Sequence, residues 1–309
     1  MSTKINTNFW KNKKVFVTGH TGFKGSWLCI ILNLLGAKIT GYALKPKSNP
    51  NLFNLAKIGN IIDKSIIADV RDFKRLHKEI KKSNSTILFH LAAQPLVRYS
   101  YLEPKETFDT NFNGTLNILD AVRKIKKIKT SIIITTDKVY DISKNKIFKE
   151  TDKLGGIDPY SASKACAEIV TKSQALSFSS LKLCTARAGN IIGGGDWAKD
   201  RIVTDIVESI EQKRDIVLRS PNAIRPWQHV IDVVNGYLKL AIYNANKKDV
   251  FDSFNFRPQE ENEIDVETLT NKFISNWNSC DSSIVIDNNE NLPESKILRL
   301  DSSKAHHIL

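Results

Sequence analysis

Near its start the chain runs Lys14-Val15-Phe16-Val17-Thr18, a short β-branched stretch, then Gly19-His20-Thr21-Gly22-Phe23-Lys24-Gly25, then an apolar helical pattern to Leu35. Gly19, Gly22 and Gly25 thus stand at G-x-x-G-x-x-G spacing between a predicted strand and a predicted helix. A pyrophosphate bound at such a place needs a tight turn, a backbone it can approach without Cβ interference, and free N–H groups at a helix start. In a loop of unknown context these glycines would be weak evidence. Between strand and helix they mark a dinucleotide site, with Thr21, Phe23 and Lys24 in the same turn as further cofactor contacts.

Working outward, short β-rich runs alternate with helical patterns as far as residue 190. Strands are predicted at 14–18, 38–43, 65–68, 86–91, 131–135 and 181–185, and helices at 23–35, 73–82, 104–126 and 158–178. This alternation predicts an α/β fold, a Rossmann-type doubly wound parallel sheet. After Gly193 the pattern changes to a Gly-rich turn, then helices predicted at 201–213, 230–243 and 266–277 and strands at 216–218 and 253–256. That is enough for a smaller C-terminal substrate-binding cap. The expected division is residues 1–190 for the dinucleotide-binding domain and 191–309 mainly for the cap, with 229–245 packing back on the first. The last residues look like the opening of a helix without a cap, which suggests a truncated chain.

Bulk properties narrow the class. A 41% hydrophobic content suits a globular protein, and the longest apolar stretch, Trp27 to Ala37, is too short to span a bilayer. Met1 to Asn6 lacks the apolar core of a signal peptide. Four cysteines lie far apart with no C-x-x-C pair, which argues for reduced thiols, a cytoplasmic location and no metal site. The formal charge of +13 follows from lysines spread over solvated faces. Its densest run, Arg123 to Lys129, falls at a predicted helix end, where cations suit the helix dipole, and carries no interleaved aromatics. Neither a nucleic-acid nor a membrane partner is expected.

Two further strand ends fit the cofactor site. Asp69-Val70 closes the third, where a carboxylate can meet an adenine amino group. Leu91-Ala92-Ala93-Gln94 closes the fourth, with small residues that let a cofactor lie close. A dinucleotide site usually also has an acidic residue about 20 positions after the glycines, to hold the ribose. Here the second strand ends in Leu44-Lys45-Pro46-Lys47, which leaves NAD and NADP both open.

For chemistry, Tyr160-Ser161-Ala162-Ser163-Lys164 is a Y-x-x-x-K match. Tyr101…Lys105, Tyr140…Lys144 and Tyr243…Lys247 match as well, but only Tyr160 stands early in a helix after the fifth strand, behind Asp158-Pro159 as N-cap and first turn. Four residues apart, Tyr160 and Lys164 share a face, so the cation is expected to lower the phenol's pKa and make it a base for a sugar hydroxyl. Thr136-Asp137-Lys138 ends the fifth strand at the carboxyl edge of the sheet. Thr136 can hydrogen-bond a substrate hydroxyl, and Asp137 with Lys138 places an acid beside a base. A sugar epimerase needs only the hydroxyl and the Tyr/Lys pair, so the added pair suggests removal of a proton and loss of water.

Taken together, these segments resemble the CDP-glucose 4,6-dehydratase family of extended short-chain dehydrogenases/reductases. The likeness is carried by the glycine turn with Ser26-Trp27, by 92–98 (AAQPLVR), 136–140 (TDKVY), 158–164 (DPYSASK), 187–197 (RAGNIIGGGDW) and 225–230 (RPWQHV). Its most specific pieces are 193–197 and the Asp-Lys pair, where dTDP-glucose dehydratases carry Asp-Glu. The resemblance implies NAD as cofactor and CDP-glucose as substrate. It implies a redox-neutral dehydration to a 4-keto-6-deoxy sugar for deoxysugar and surface-polysaccharide synthesis. It implies a homodimer or higher homo-oligomer, through the helices predicted at 104–126 and 158–178. It places Gln94, Asn190, Arg201 and Arg225 on the substrate, the last three near its pyrophosphate, and it makes Asn111 a brace between helix and strand. The alternatives are a nucleotide-sugar 4-epimerase, which shares the fold, the glycines and the Tyr/Lys pair, and a dehydratase acting on another nucleotide sugar.

Overall fold

A computed structural model describes residues 7–142, 146–178, 180–258, 263–278, 280–287 and 298–309; Lys144 of the discounted Tyr140 match lies outside them. Seven strands form one sheet: β1 Lys14–Thr18, β2 Lys38–Ala43, β3 Lys64–Ile67, β4 Ile87–His90, β5 Thr130–Ile134, β6 Leu183–Ala188 and β7 Phe251–Phe256. Their order is β7-β6-β5-β4-β1-β2-β3, and every pairing is parallel. The order reverses between β1 and β4, which opens a crevice at the carboxyl ends of the strands.

Every residue of β4, β5 and β6 is buried, as expected of strands covered on both faces. The Phe23–Leu34 and Val230–Asn246 helices cover one face around Leu28, Leu32, Tyr237 and Leu240. Helices Phe73–Ser83, Gly114–Lys124 and Pro159–Ser177 cover the other around Leu76, Ile80, Ile118 and Ala175. Each such Leu or Ile contributes about 1.5–3 kcal/mol on burial.

Two elements differ from expectation. The strand placed in the cap is Phe251–Phe256, and it joins the main sheet as its edge, in register with β6 from Leu183 to Ala188. The helix expected over 104–126 is broken: Pro104–Phe108 passes into a π-turn at Asp109–Asn113 before Gly114–Lys124 resumes. Periodicity alone does not show the break, because its cause is tertiary. The extra residue turns Asn111 inward, and Gly114 lets the helix approach β3's exit so closely that a Cβ there would stand 2.9 Å from Val70 Cγ2.

Beyond the sheet, the Ile202–Glu211 and Val266–Ser275 helices pack with Ile216–Leu218, which pairs in parallel with Ile284–Ile286. Ile206, Ile210, Ile216 and Leu218 form the small separate core of this lobe. The Ser303–Ile308 helix packs on β7. Among the described residues no helix is long and apolar enough to cross a membrane, and no His/Cys/Asp/Glu group could hold a metal ion.

Candidate active site

The glycine turn is held by contacts that tolerate no side chain. A Cβ on Gly19, whose φ is +76°, would stand 2.7 Å from the Ala92 nitrogen, and one on Gly25 would stand 2.0 Å from the Gly19 carbonyl oxygen. Thr18 Oγ1 accepts from the Leu91 and Ala92 amides at 3.2 Å each, joining the exits of β1 and β4. Gly22 starts the helix without any side-chain cap, so no side chain occupies its first N–H groups, which can donate to an anion. With partly exposed Ala92 and Ala93 opposite, the turn fits the pyrophosphate of a dinucleotide. Lys24 sits in the same turn. Burial, then Arg201, push its ammonium down to about 8, against the pull of Asp196 and Asp137. It therefore lies where cofactor turn, reaction edge and cap meet.

Three expected ligand contacts have other partners. Thr21 Oγ1 donates to the Leu44 carbonyl at 2.8 Å and shapes the turn. Val70 is buried in the core in the cluster of Ile118 and Leu119, and its carbonyl accepts from Asn117 Nδ2 at 3.0 Å. Gln94 is buried with its amide consumed locally: Nε2 donates to Leu96 O and Thr107 Oγ1, and Oε1 accepts from Leu96 N. Gln94 shapes the loop after β4 and offers no amide to a substrate. Asn111 explains how. From the π-turn it exchanges hydrogen bonds with the Gln94 backbone at 2.8 and 3.1 Å and donates to Ser163 Oγ at 3.0 Å. Asp69 remains at the edge of the crevice, with both oxygens held by Arg71; burial raises its pKa, but those bonds outweigh it and the carboxyl lies below its usual range.

At the end of β5 the side chains expected to carry the chemistry converge. Thr136 Oγ1 donates to Asp137 Oδ1 at 2.8 Å, and Lys138 Nζ donates to the same oxygen at 3.2 Å. Asp137 is fully buried and its Oδ2 has no partner. Asp158 caps the Pro159–Ser177 helix by accepting from Ser161 N at 2.9 Å, which presents Tyr160 in the first turn and Lys164 in the second. Lys164 Nζ donates to Ile134 O at 3.1 Å. The expected lowering of the phenol's pKa is not found. Burial dominates and pushes Tyr160 up to about 12, against a Thr136 hydrogen bond and Arg201. Burial, then Lys24, drive Lys164 down to about 7. Both groups favour their neutral forms because the edge is dry before any charge is brought to it.

Gly189, at the exit of β6, backs Asp137: a Cβ there would lie 2.0 Å from Oδ2 and 2.1 Å from Cγ. Gly189→Ala is expected to displace the carboxylate, reduce turnover at least tenfold, and destabilise the fold by about 1–3 kcal/mol from overpacking. Steady-state kinetics beside thermal unfolding checks this; wild-type kinetics with a normal Tm would show that the carboxylate has room to move.

Across the crevice Asn190, Arg201 and Arg225 line one cavity of about 170 Å³. Asn190 sits at φ 50° with Oδ1 buried and without a partner. Arg201 is close enough to act on both Tyr160 and Lys24, which ties the cap to the reaction edge. Arg219, which sequence reasoning missed, lines the same cavity at 3.0 Å from Asp200 and 3.8 Å from Asp205. Arg98, from the segment after β4, also reaches Asp200, at 3.5 Å. No motif marks Arg219 or Arg98 as partners; only the packing of cap on sheet brings them together.

The model of the NAD dependent epimerase/dehydratase family matches residues 15–255. CDP-glucose 4,6-dehydratase of Salmonella typhimurium is 42% identical, over 98% of this chain and 86% of that protein. UDP-glucose 4-epimerase of Mycoplasma pneumoniae is 27% identical, over 78% and 75%. Among solved structures, dTDP-glucose 4,6-dehydratase of Bacillus anthracis in complex with NAD shares the fold at TM-score 0.79 and 21% identity, covering 96% of this chain and 90% of that one. Since the family match spans the whole sheet, from β1 to β7, this chain belongs to the NAD dependent epimerase/dehydratase family.

Proposed function

We propose that the chain is a CDP-glucose 4,6-dehydratase, a hydro-lyase that converts CDP-D-glucose to CDP-4-keto-6-deoxy-D-glucose with NAD. The observation that carries this is the Asp137–Lys138 pair, 3.2 Å apart, at the same strand edge as Tyr160 and Lys164. The 42% identity to the Salmonella typhimurium enzyme supports the choice of sugar nucleotide.

The roles follow from position. Gly19, Gly22 and Gly25 would hold the cofactor's pyrophosphate, Phe23, Lys24, Asp69 and Leu91–Ala93 would line its site, and Lys164 would bind its ribose. When bound, NAD supplies a hydride acceptor, and later donor, whose oxidised ring is positively charged. Tyr160 removes the proton of the 4-hydroxyl, oriented by Thr136. A ketone at C4 acidifies C5, whose proton passes to Lys138. Asp137 protonates the departing 6-hydroxyl and water leaves, and Lys138 returns its proton to C5 while the hydride taken from C4 is added at C6, which gives the 4-keto-6-deoxy sugar. Asn190, Arg201 and Arg225 hold the diphosphate, where guanidinium groups pair with phosphate oxygens.

We extend the proposal to a cytoplasmic enzyme of deoxysugar synthesis for surface polysaccharides, dividing near residue 190 into a cofactor domain and a cap. The four cysteines are unpaired, which suits a reducing compartment. A homodimer is favoured by Ile169 and Leu176, 57% and 63% exposed, seven residues apart on the Pro159–Ser177 helix.

The test is mass spectrometry of CDP-glucose, and of dTDP-glucose beside it, incubated with the protein and NAD. Loss of one water from CDP-glucose alone is expected. An unchanged mass with inverted C4 stereochemistry would instead establish a 4-epimerase, and turnover of dTDP-glucose alone would correct the base.

A further inference from the structure

Tyr160 and Lys164 stand four residues apart on the Pro159–Ser177 helix, and Glu168 continues the same face one turn on. Neither the chemistry above nor the sequence motifs use it. Yet Glu168 is 1% exposed and its two oxygens accept four hydrogen bonds. Oε1 takes Thr135 Oγ1 at 2.5 Å and Arg187 Nε at 3.0 Å, and Oε2 takes Thr185 Oγ1 at 2.7 Å and Arg187 Nη2 at 2.8 Å. Arg187, 3% exposed, spends its remaining nitrogen on Tyr140 Oη at 2.8 Å and Glu150 O at 3.1 Å. Tyr140 in turn donates to Asn255 Oδ1 of β7 at 2.6 Å.

We propose that Glu168, paired with Arg187, is the positioning residue of the active site, holding the exits of β5 and β6 against the helix that carries Tyr160 and Lys164. The reasoning is geometric and rests on the dehydratase reading of the site. Thr135 precedes Thr136 and Asp137, and Arg187 stands two residues before Gly189, which touches the Asp137 carboxylate. One carboxylate therefore grips both strands whose ends form the floor and back wall of the acid. A buried ion pair is a poor device for stability alone, since an apolar pair of the same volume is commonly as stable or more so. A saturated, directional network does fix positions that apolar contacts leave free to slide.

Glu168 also acts on Lys164. The groups that face that ammonium are Lys24 from the glycine turn, Glu168 and Tyr160 from its own helix, His90 from β4, the Ile134 carbonyl from β5, and Arg187 behind Glu168. Burial is the largest influence and lowers its pKa, Lys24 adds to that, and Glu168 opposes both. Loss of the Glu168 charge must therefore lower Lys164 further, so that its cation disappears at a lower pH.

The experiment uses the full chain with NAD and CDP-glucose, comparing Glu168→Gln with the double variant Glu168→Leu/Arg187→Leu. Glu168→Gln leaves Arg187 buried and half paired, so its Tm falls. The double variant removes both charges and is expected to recover most of that Tm. In both, kcat is expected to drop about tenfold or more with little change in KM, and in Glu168→Gln the limb of the pH–rate profile where activity is lost to Lys164 deprotonation should move to lower pH. Recovery of kcat together with Tm in the double variant would reduce the pair to a structural role and overturn the proposal. An unmoved pH profile in Glu168→Gln would overturn its action on Lys164. If the wild-type protein does not dehydrate CDP-glucose, it is the functional reading that fails, before any variant is made.

Discussion

Tyr160→Phe is expected to lower the rate of water loss from CDP-glucose by about three orders of magnitude, within the range for removal of a general base. The substitution deletes one buried oxygen from the edge of the crevice and leaves the ring in place. Because the phenol's described interaction is a hydrogen bond with Thr136, the stability change should be about 1 kcal/mol. Binding of CDP-glucose, carried by the cap arginines, should survive. The check is product mass against time, with calorimetric titration of the nucleotide sugar. Retention of a tenth of the wild-type rate would take Tyr160 out of the proton transfer and leave Lys164, itself near neutrality at about 7, as the base.

Asp137→Asn is expected to reduce water loss by about two to three orders of magnitude at a KM close to wild type. The amide has the same shape, so the tight contact against Gly189 is kept, and the bonds from Thr136 and Lys138 can persist on its oxygen. What disappears is the proton for the departing 6-hydroxyl. This variant also separates the two chemistries open to the fold. A 4-epimerase has no leaving hydroxyl to protonate and would keep its rate, so stereochemical analysis of products from wild type and Asp137→Asn decides between them. An Asn variant that still loses water at the wild-type rate would transfer the acid's role to Lys138 or to solvent.

Both predictions concern residues that local sequence chemistry singles out. Tyr160 stands out among its competitors because it opens a helix after the fifth strand, announced by Asp158-Pro159, and the cap is indeed formed by Asp158 on Ser161 N. The electrostatic expectation for that pair is wrong in direction. Helical spacing puts Lys164 beside Tyr160, but it says nothing of how dry the edge is, and burial dominates both groups. Gln94 and Val70 have scaffold partners that the sequence does not show, for a related reason. A polar or apolar residue at a strand exit has the same local pattern whether it faces a ligand or the scaffold. The difference lies in Thr107, Leu96 and Asn117, which supply the partners through the folded chain.

Alone, the sequence determined what short-range chemistry can determine: the parallel α/β sheet, the glycine turn at the first strand's exit, the Asp-Lys pair at the fifth, and the Tyr/Lys pair on the helix that follows. Each is written within ten or so residues, in side-chain period, glycine spacing and capping. Only the tertiary structure decided that Phe251–Phe256 completes the sheet, that Gly189 backs Asp137, and that Arg219, Arg98 and Asp200 meet across the crevice. It also joined Glu168 to Arg187 beneath the reacting edge. The physical reason is separation along the chain. A contact between residues tens of positions apart depends on which faces the other elements have already buried, and no local pattern carries that information.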